Sequence, residues 1–371
     1  MQKIIYLSSP VTSQFGGGEV FLNNFTDGVE AEHNFIGSSN AIFDLFKSKN
    51  YQAHLSRGGF EPCLKYLPLF PISIIIGFVQ FVRFFNLFQS ADTIISPTSH
   101  CETFFVIPWI KLFLKKKVIF MVHSAFVPKT FSIPPMNWLL SKCWGKSSVV
   151  FVSNSQKKLW NEAGCISENQ IVIYNGVLIS EFEPKIKTES EIKIGFLGRL
   201  SSDKGCDVLL DSLTVIKSSE KIKVLIGGDG SEKENLVQKL SSLNLPANIT
   251  VEFVGFVDDT KSFLESLDLF VFPSRRESFG LVICEAMERG VSVLSSDIPS
   301  SQEVKTIVND ERQNNLTFLV NESSDLGTKI NFFIKNKSLY LDRQYKLNLH
   351  KTIEHNFGLT KMFADYRKII K

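Results

Sequence analysis

Short apolar runs recur along this chain, spaced so that a helix fits between successive ones. KIIYLSS at 3–9, DTIISPT at 92–98, KKVIFMVHS at 116–124 and SVVFVSN at 148–154 read as strands in the first half. KIGFLGR at 193–199, IKVLIGGDG at 222–230, ITVEFVGF at 249–256, LDLFVFPS at 267–274 and VSVLSS at 291–296 do so in the second. Strands alternating with helical stretches predict α/β domains, each a parallel sheet flanked by helices. The charged, proline-containing stretch EFEPKIKTESE at 181–191 breaks the pattern and reads as a linker. It separates a first domain over 1–183 from a second that begins at 191. One run is longer: FPISIIIGFVQFVRFFNLF at 70–88 has the length of a membrane span but contains Gln80, Arg83 and Asn86. It predicts a buried or membrane-facing helix that does not cross a bilayer.

Composition refines this picture at four points. A length of 371 residues exceeds one comfortable core and suits two domains of Rossmann size. Phe is abundant, 33 residues against 7 Tyr and 4 Trp, and carries no polar handle, so greasy cores or a greasy surface are expected. Six cysteines stand at 63, 101, 143, 165, 206 and 284 without a CxxC pair, which predicts reduced thiols and a cytoplasmic location. The opening MQKIIYLSSP reads as a first strand and not as an export signal.

Charge is unevenly placed. Residues 103–161 hold nine lysines and no acidic residue, four of the lysines within IKLFLKKK at 110–117. Two readings stand side by side: an anionic membrane surface as partner, with the protein peripheral on the inner face, or lysines stationed at helix C-termini. Arginine is sparse there and no nucleic-acid motif appears, so no nucleic-acid partner is expected.

The densest chemistry lies in RRESFGLVICEAMERG at 275–290. The strand before it ends near Pro273 and LVICEAM has helical periodicity, so Glu277 falls in the turn and Gly280 at the helix start. Backbone N–H groups at a helix start lack internal partners and attract anions or hydroxyl oxygens. Glu285 lies about 8 Å further along the axis, at about 1.5 Å per residue. Two carboxylates so separated suit the two ends of an elongated ligand better than one reacting centre. GFLGRLSSDKG at 195–205 puts Arg199 and Lys204 just after another strand, at the sheet edge where open α/β folds bind ligands. IGGDG at 226–230, with Gly228 at its centre, allows close backbone approach. FGGGE at 15–19 is a glycine loop before a helix, suited to phosphate, though it is not GxGxxG. His123, at a strand end, could serve catalysis or packing.

Taken in order, FGGGEV, the strand-end His in VIFMVHS, NGV at 175–177, GRLSSDKG, IGGDG, VEFVGFV, ESFGLVICEAMERG and the late Glu303 in SSQEV resemble the retaining nucleotide-sugar glycosyltransferases of family 4. That resemblance implies the GT-B fold, two Rossmann-like β/α/β domains facing across a cleft: 1–183 binding the acceptor, 191–354 binding the donor, and 355–371 a terminal helix crossing back to the first domain. It implies that Glu277 contacts donor-sugar hydroxyls and that Glu285 binds the ribose. The backbone at Phe279, Gly280 and Leu281 would hold sugar and phosphate oxygens, and Arg199 and Lys204 would grip the diphosphate. Gly17 would face the phosphates, Val257 the base, and His123 the donor sugar. The expected activity is transfer of a sugar from a nucleoside-diphosphate sugar to a glycan or lipid-linked acceptor, in bacterial cell-surface polysaccharide synthesis. The chain has no DxD motif, so no metal or other cofactor is expected and the cations and helix N-termini must offset the phosphate charge. The alternatives are a nucleotide-sugar epimerase or hydrolase on the same fold, and a non-catalytic sugar-nucleotide binding protein. QNNLTFLV at 313–320, Ser292 and SSQEV depart from the family's usual pattern.

Overall fold

Two parallel sheets carry the chain. The computed structural model describes residues 1–8, 17–37, 40–55, 70–97, 106–123, 125, 134–184 and 191–371. It divides into unit 1, Met1–Asn175 with Leu359–Lys371, and unit 2, Gly176–Gly358.

The strands of unit 1 are β1 (Lys3–Ser8), β2 (Glu32–Gly37), β3 (Gln52–Leu55), β4 (Thr93–Pro97), β5 (Lys117–Val122), β6 (Ser148–Phe151) and β7 (Asn169–Val172). Its helices are α1 (Gly17–Gly28), α2 (Asn40–Ser48), α3 (Phe70–Arg83), α4 (Phe85–Ser90), α5 (Ile107–Phe113), α6 (Pro134–Trp144) and α7 (Asn154–Glu162). The sheet order is β3-β2-β1-β4-β5-β6-β7, with every pair parallel. Successive residues of a strand face opposite sides, so Ile5 and Ile4 of β1 belong to different cores. Ile5, Ile94 and Phe120 pack against Phe81, Phe88, Ile110 and Trp144. Ile4, Tyr6 and Ile119 pack against Phe21, Phe25 and Phe46, and also against Met362, Tyr366 and Ile370 from the end of the chain.

Unit 2 has β8 (Ile192–Leu197), β9 (Ile222–Gly227), β10 (Ile249–Gly255), β11 (Leu269–Phe272), β12 (Ser292–Ser296) and β13 (Thr317–Phe318). Between and after them run α8 (Cys206–Ser212), α9 (Lys233–Ser242), α10 (Thr260–Glu265), α11 (Leu281–Glu288), α12 (Pro299–Val308), α13 (Glu311–Asn315), α14 (Ser323–Lys335), α15 (Lys337–Tyr340) and α16 (Arg343–Phe357). The order β10-β9-β8-β11-β12-β13 repeats the doubly wound pattern of unit 1. In each sheet the order reverses beside the first strand, between β1 and β4 and between β8 and β11, where α/β sheets open a crevice at the strand carboxyl ends. Each unit is by itself a Rossmann-like, doubly wound α/β domain.

The segment after Asn175 is held by unit 2. Val177 N–H donates to Phe357 O (2.8 Å), Ser180 N–H to Glu288 Oε1 (3.2 Å), and the Phe182 ring stacks on His350 with centroids 5.2 Å apart. After Gly358 the last helix, α17 (Leu359–Ile370), packs on α1: Tyr366 lies against Phe21 and Phe25, and Arg367 Nη2 donates to Gly28 O (2.7 Å).

The long apolar run at 70–88 is two helices, not one. Phe84, at φ −104° and ψ 18°, breaks it between α3 and α4. Among the described residues no helix is long and apolar enough to cross a membrane. Three lysines of the basic segment reach helix C-termini: Lys111 Nζ donates to Cys143 O (2.7 Å) at the end of α6, Lys116 to Gln89 O (2.7 Å) at the end of α4, and Lys117 to Ile370 O (3.1 Å) at the end of α17. Cations at these positions satisfy carbonyls that the helices leave unpaired.

Candidate active site

In unit 2 the loops leaving β8, β9, β10 and β11 meet at the carboxyl edge of the sheet. After β8, Gly198 N–H donates to Gly227 O (3.0 Å) and Leu200 N–H to Asp229 O (2.9 Å), while Gly228 N–H donates to Gly255 O (2.7 Å). Gly228 has φ +130°, and a Cβ there would lie 1.9 Å from Gly198 O, so no side chain fits between these loops. Val257 folds back over the end of β9, where a Cβ on Gly227 would meet its Cγ2 at 2.9 Å. Arg199 is exposed on this edge, and its side chain has no partner among the described residues.

Lys204 closes a short 3₁₀ turn, Ser202–Lys204, and its Nζ donates to Glu277 Oε1. Ser274 Oγ donates to the same oxygen at 3.4 Å. The structure therefore brings together a cation after β8 and a carboxylate after β11, on either side of the strand-order reversal. Gly280, at φ +91°, caps α11, and its αL backbone is one that L side chains rarely adopt. Phe279 is buried beneath this turn, against Phe357 at a centroid distance of 5.7 Å. Leu281 opens the helix, so its N–H is among the unpaired donors of the first turn.

Glu285 lies mid-helix on α11. Burial pushes its carboxyl up to about 7, and the nearby Glu288 carboxylate adds to the rise. A group poised there exchanges its proton near neutrality. Glu288 itself is buried and ion-paired with Arg289, and Arg289 Nη1 also reaches Glu265 Oε1 (3.0 Å).

Two positioning contacts were not legible beforehand. Arg275 grips Asp207 through two parallel bonds of 2.9 and 2.7 Å, and its own N–H donates to Asp203 O (2.8 Å). The pair ties the loop that carries Lys204 to the loop that carries Glu277. Asp207 and Arg275 are 68 positions apart, and a bidentate ion pair leaves no local pattern to read. Glu288 and Arg289 are adjacent, but their contacts with Ser180, 108 and 109 positions away, leave no local pattern either, and they hold the start of unit 2.

In unit 1, Gly17 is the first residue of α1. The rest of FGGGE before it lies outside the described residues. His123 follows β5. Its ring lies 4.2 Å from that of Phe21 of α1, centroid to centroid, and its Nε2 is buried with no hydrogen-bond partner among the described residues. Burial lowers its pKa to about 4, so the ring is neutral at physiological pH. An orphaned buried nitrogen is costly unless something pairs with it. Among the described residues no three His, Cys, Asp or Glu side chains gather as a metal site.

Residues 179–348 match the family model described as glycosyl transferases group 1. An O-antigen biosynthesis glycosyltransferase, WclY of Escherichia coli, is 30% identical over 212 residues, covering 55% of this chain and 56% of WclY. The capsular polysaccharide biosynthesis glycosyltransferase CapM of Staphylococcus aureus is 28% identical over 229 residues, 57% of this chain and 55% of CapM. The chain thus spans about half the length of the curated relatives it matches. The crystal structure of Anabaena Alr3699/HepE, in complex with UDP and glucose, superposes with a TM-score of 0.77 at 19% identity over 99% of both chains. Residues 179–348, most of unit 2, are similar to the group 1 glycosyl transferases, and the whole chain shares the fold of HepE.

Proposed function

We propose that the chain is a retaining glycosyltransferase of family 4, one that moves a sugar from a nucleoside-diphosphate sugar to a glycan or lipid-linked acceptor. The observation that carries this reading is the meeting of Lys204 and Glu277 at the strand-order reversal, beside the glycine-capped start of α11. A diphosphate is the anion that such a lysine and a set of open N–H groups would accept, and a carboxylate one loop away is placed for sugar hydroxyls. In this reading Lys204 exchanges Glu277 for the phosphates when donor binds, which frees the carboxylate for the sugar.

The roles then follow. Arg199 and Lys204, with the backbone at Phe279, Gly280 and Leu281, bear the charge that grows on the leaving phosphate. Each such preorganised donor typically contributes roughly 2.7–4 kcal/mol to the transition state. Glu285 accepts from the ribose, while Val257 and Gly228 bound the base and phosphate positions. From unit 1, the start of α1 at Gly17 adds N–H groups for phosphate. The neutral His123, with its unpaired Nε2, offers a hydrogen bond to the donor sugar. Unit 2 supplies most of the donor-binding residues, and the acceptor falls to unit 1. The reaction proceeds at these groups without a divalent metal, retains configuration at the anomeric carbon, and uses the departing phosphate to help deprotonate the acceptor. The names of WclY and CapM point to surface polysaccharide synthesis as the setting, and the reading places the protein in the cytoplasm at the membrane's inner face.

A thermal-shift screen with UDP, GDP, ADP and CDP and their sugars, with and without EDTA, tests the donor site; UDP comes first because HepE holds it. A selective shift that survives EDTA is expected. Absence of a shift with every nucleotide would remove the donor site. Turnover without any acceptor would favour a hydrolase or epimerase instead.

A further inference from the structure

The outward side of α3 and α5 in unit 1 is apolar where a solvated helix face would be polar. The sides of these helices turned to the sheet bury Phe81, Ile107 and Ile110. Their opposite sides carry Ile75, Val79, Val82, Leu112 and Phe113, each 55–64% exposed. Aromatic contacts join the two helices into one surface: the Trp109 ring lies 4.9 Å from Phe78 and 6.2 Å from Phe113, and Phe81 stacks on Phe113 at 5.8 Å. A helix that is apolar on every side belongs in a core or against lipid, and α3 has a core on one side alone.

The charges on these helices and directly after them have one sign. Arg83 ends α3, Lys115 follows α5, and both are exposed, with Lys116 beside them. No acidic residue occurs between Glu61 and Asp92 or between Glu102 and Glu162, the stretches that contain both helices. A second copy of the chain docked on this face would set cation against cation. A bilayer rich in acidic phospholipid offers apolar depth and complementary charge together.

We propose that the α3–α5 face is an interfacial membrane-docking surface for anionic phospholipid, with the apolar side chains in the headgroup boundary and Arg83, Lys115 and Lys116 at the phosphates. It is a surface of unit 1, and it stands or falls apart from the donor site in unit 2.

The test is flotation of the full-length protein with vesicles of phosphatidylcholine alone or mixed with phosphatidylglycerol. The wild type is expected to float with phosphatidylglycerol vesicles and to bind phosphatidylcholine at least tenfold more weakly. Val79→Glu with Leu112→Glu should reduce binding at least tenfold while leaving Tm and the thermal shift with nucleotide unchanged, since both side chains are exposed. Arg83→Glu with Lys115→Glu should erase the preference for phosphatidylglycerol, and it serves as a second variant if the first is unstable. Failure of the wild type to float, or equal flotation of the folded variants, overturns the proposal. A wild-type dimer in sedimentation that Val79→Glu with Leu112→Glu dissociates would overturn it in favour of self-association. Nucleotide shifts are read on the same samples, so loss of either reading is told apart from loss of the other.

Discussion

Lys204 and Glu277 lie 73 positions apart in sequence and share a hydrogen bond in the fold. Their coupling can be measured. Glu277→Ala is expected to lower kcat by about 10²–10³, the usual cost of one preorganised group. Lys204→Ala should cost a similar factor, and the double variant should lose less than the product of the two, because partners in one network are not additive. Independent losses in a double-mutant cycle would contradict the shared role. Glu285 makes a second prediction, on stability. Its folded pKa of about 7 lies above the unfolded value of about 4.3, so between those limits the native state binds the extra proton. This group's contribution therefore falls as pH rises from about 4.3 to 7, by about 4 kcal/mol at most. Glu285→Gln should remain as stable at pH 8 as at pH 5 relative to this trend, gaining on the wild type as pH rises in urea titrations. Parallel pH curves for the two proteins would refute the raised value.

At the scale of elements, the loops after β8 and β9 are pressed together at Gly228. Gly228→Ala would force a Cβ onto Gly198 O from a backbone angle that L residues avoid. A loss of at least about 1–3 kcal/mol is expected from the strained backbone alone, with weaker nucleotide binding because Arg199 and Lys204 ride on the same loops. A variant with unchanged Tm would show that the loops can separate freely. The elements differ in how readable they were. The nine apolar runs form strands, because buried parallel strands are nearly continuous in Val, Ile, Leu and Phe; β10, at the sheet edge, is partly exposed and is read from its β-branched and aromatic residues. β2 lacks such an apolar run, since EHNFIG contains His33 and Asn34, both buried. His33 is accommodated by hydrogen bonds with Tyr6 Oη (2.9 Å) and Val29 O (2.8 Å), partners no local pattern announces. The short edge strands β3, β7 and β13 also escaped, having two to four residues each and a partner on one side alone.

At the scale of the whole molecule, the chain enters unit 2 at Gly176 and returns to unit 1 at Leu359. Truncation before Leu359 would strip Met362, Tyr366 and Ile370 from one face of the first sheet and expose Phe21 and Phe25. At about 2 kcal/mol for each of three fully buried side chains, the loss approaches the whole stability of a typical domain. The truncated protein should be recovered aggregated or with a much lower Tm for unit 1. Equal stability, by calorimetry, would show that α17 is dispensable.

What the sequence determined by itself was local: the alternation of strand and helix, and the loops that concentrate glycine, cation and carboxylate at strand ends. Such features depend on residues within a few positions of one another, and backbone geometry makes them periodic. What only the tertiary structure decided were the pairings between distant segments. These are Lys204 with Glu277, Arg275 with Asp207, Lys111, Lys116 and Lys117 with three separate helix ends, and the particular side chains by which α17 meets the first sheet. Each depends on charge and packing between segments that the fold alone brings together, and a single sequence carries no periodic trace of them.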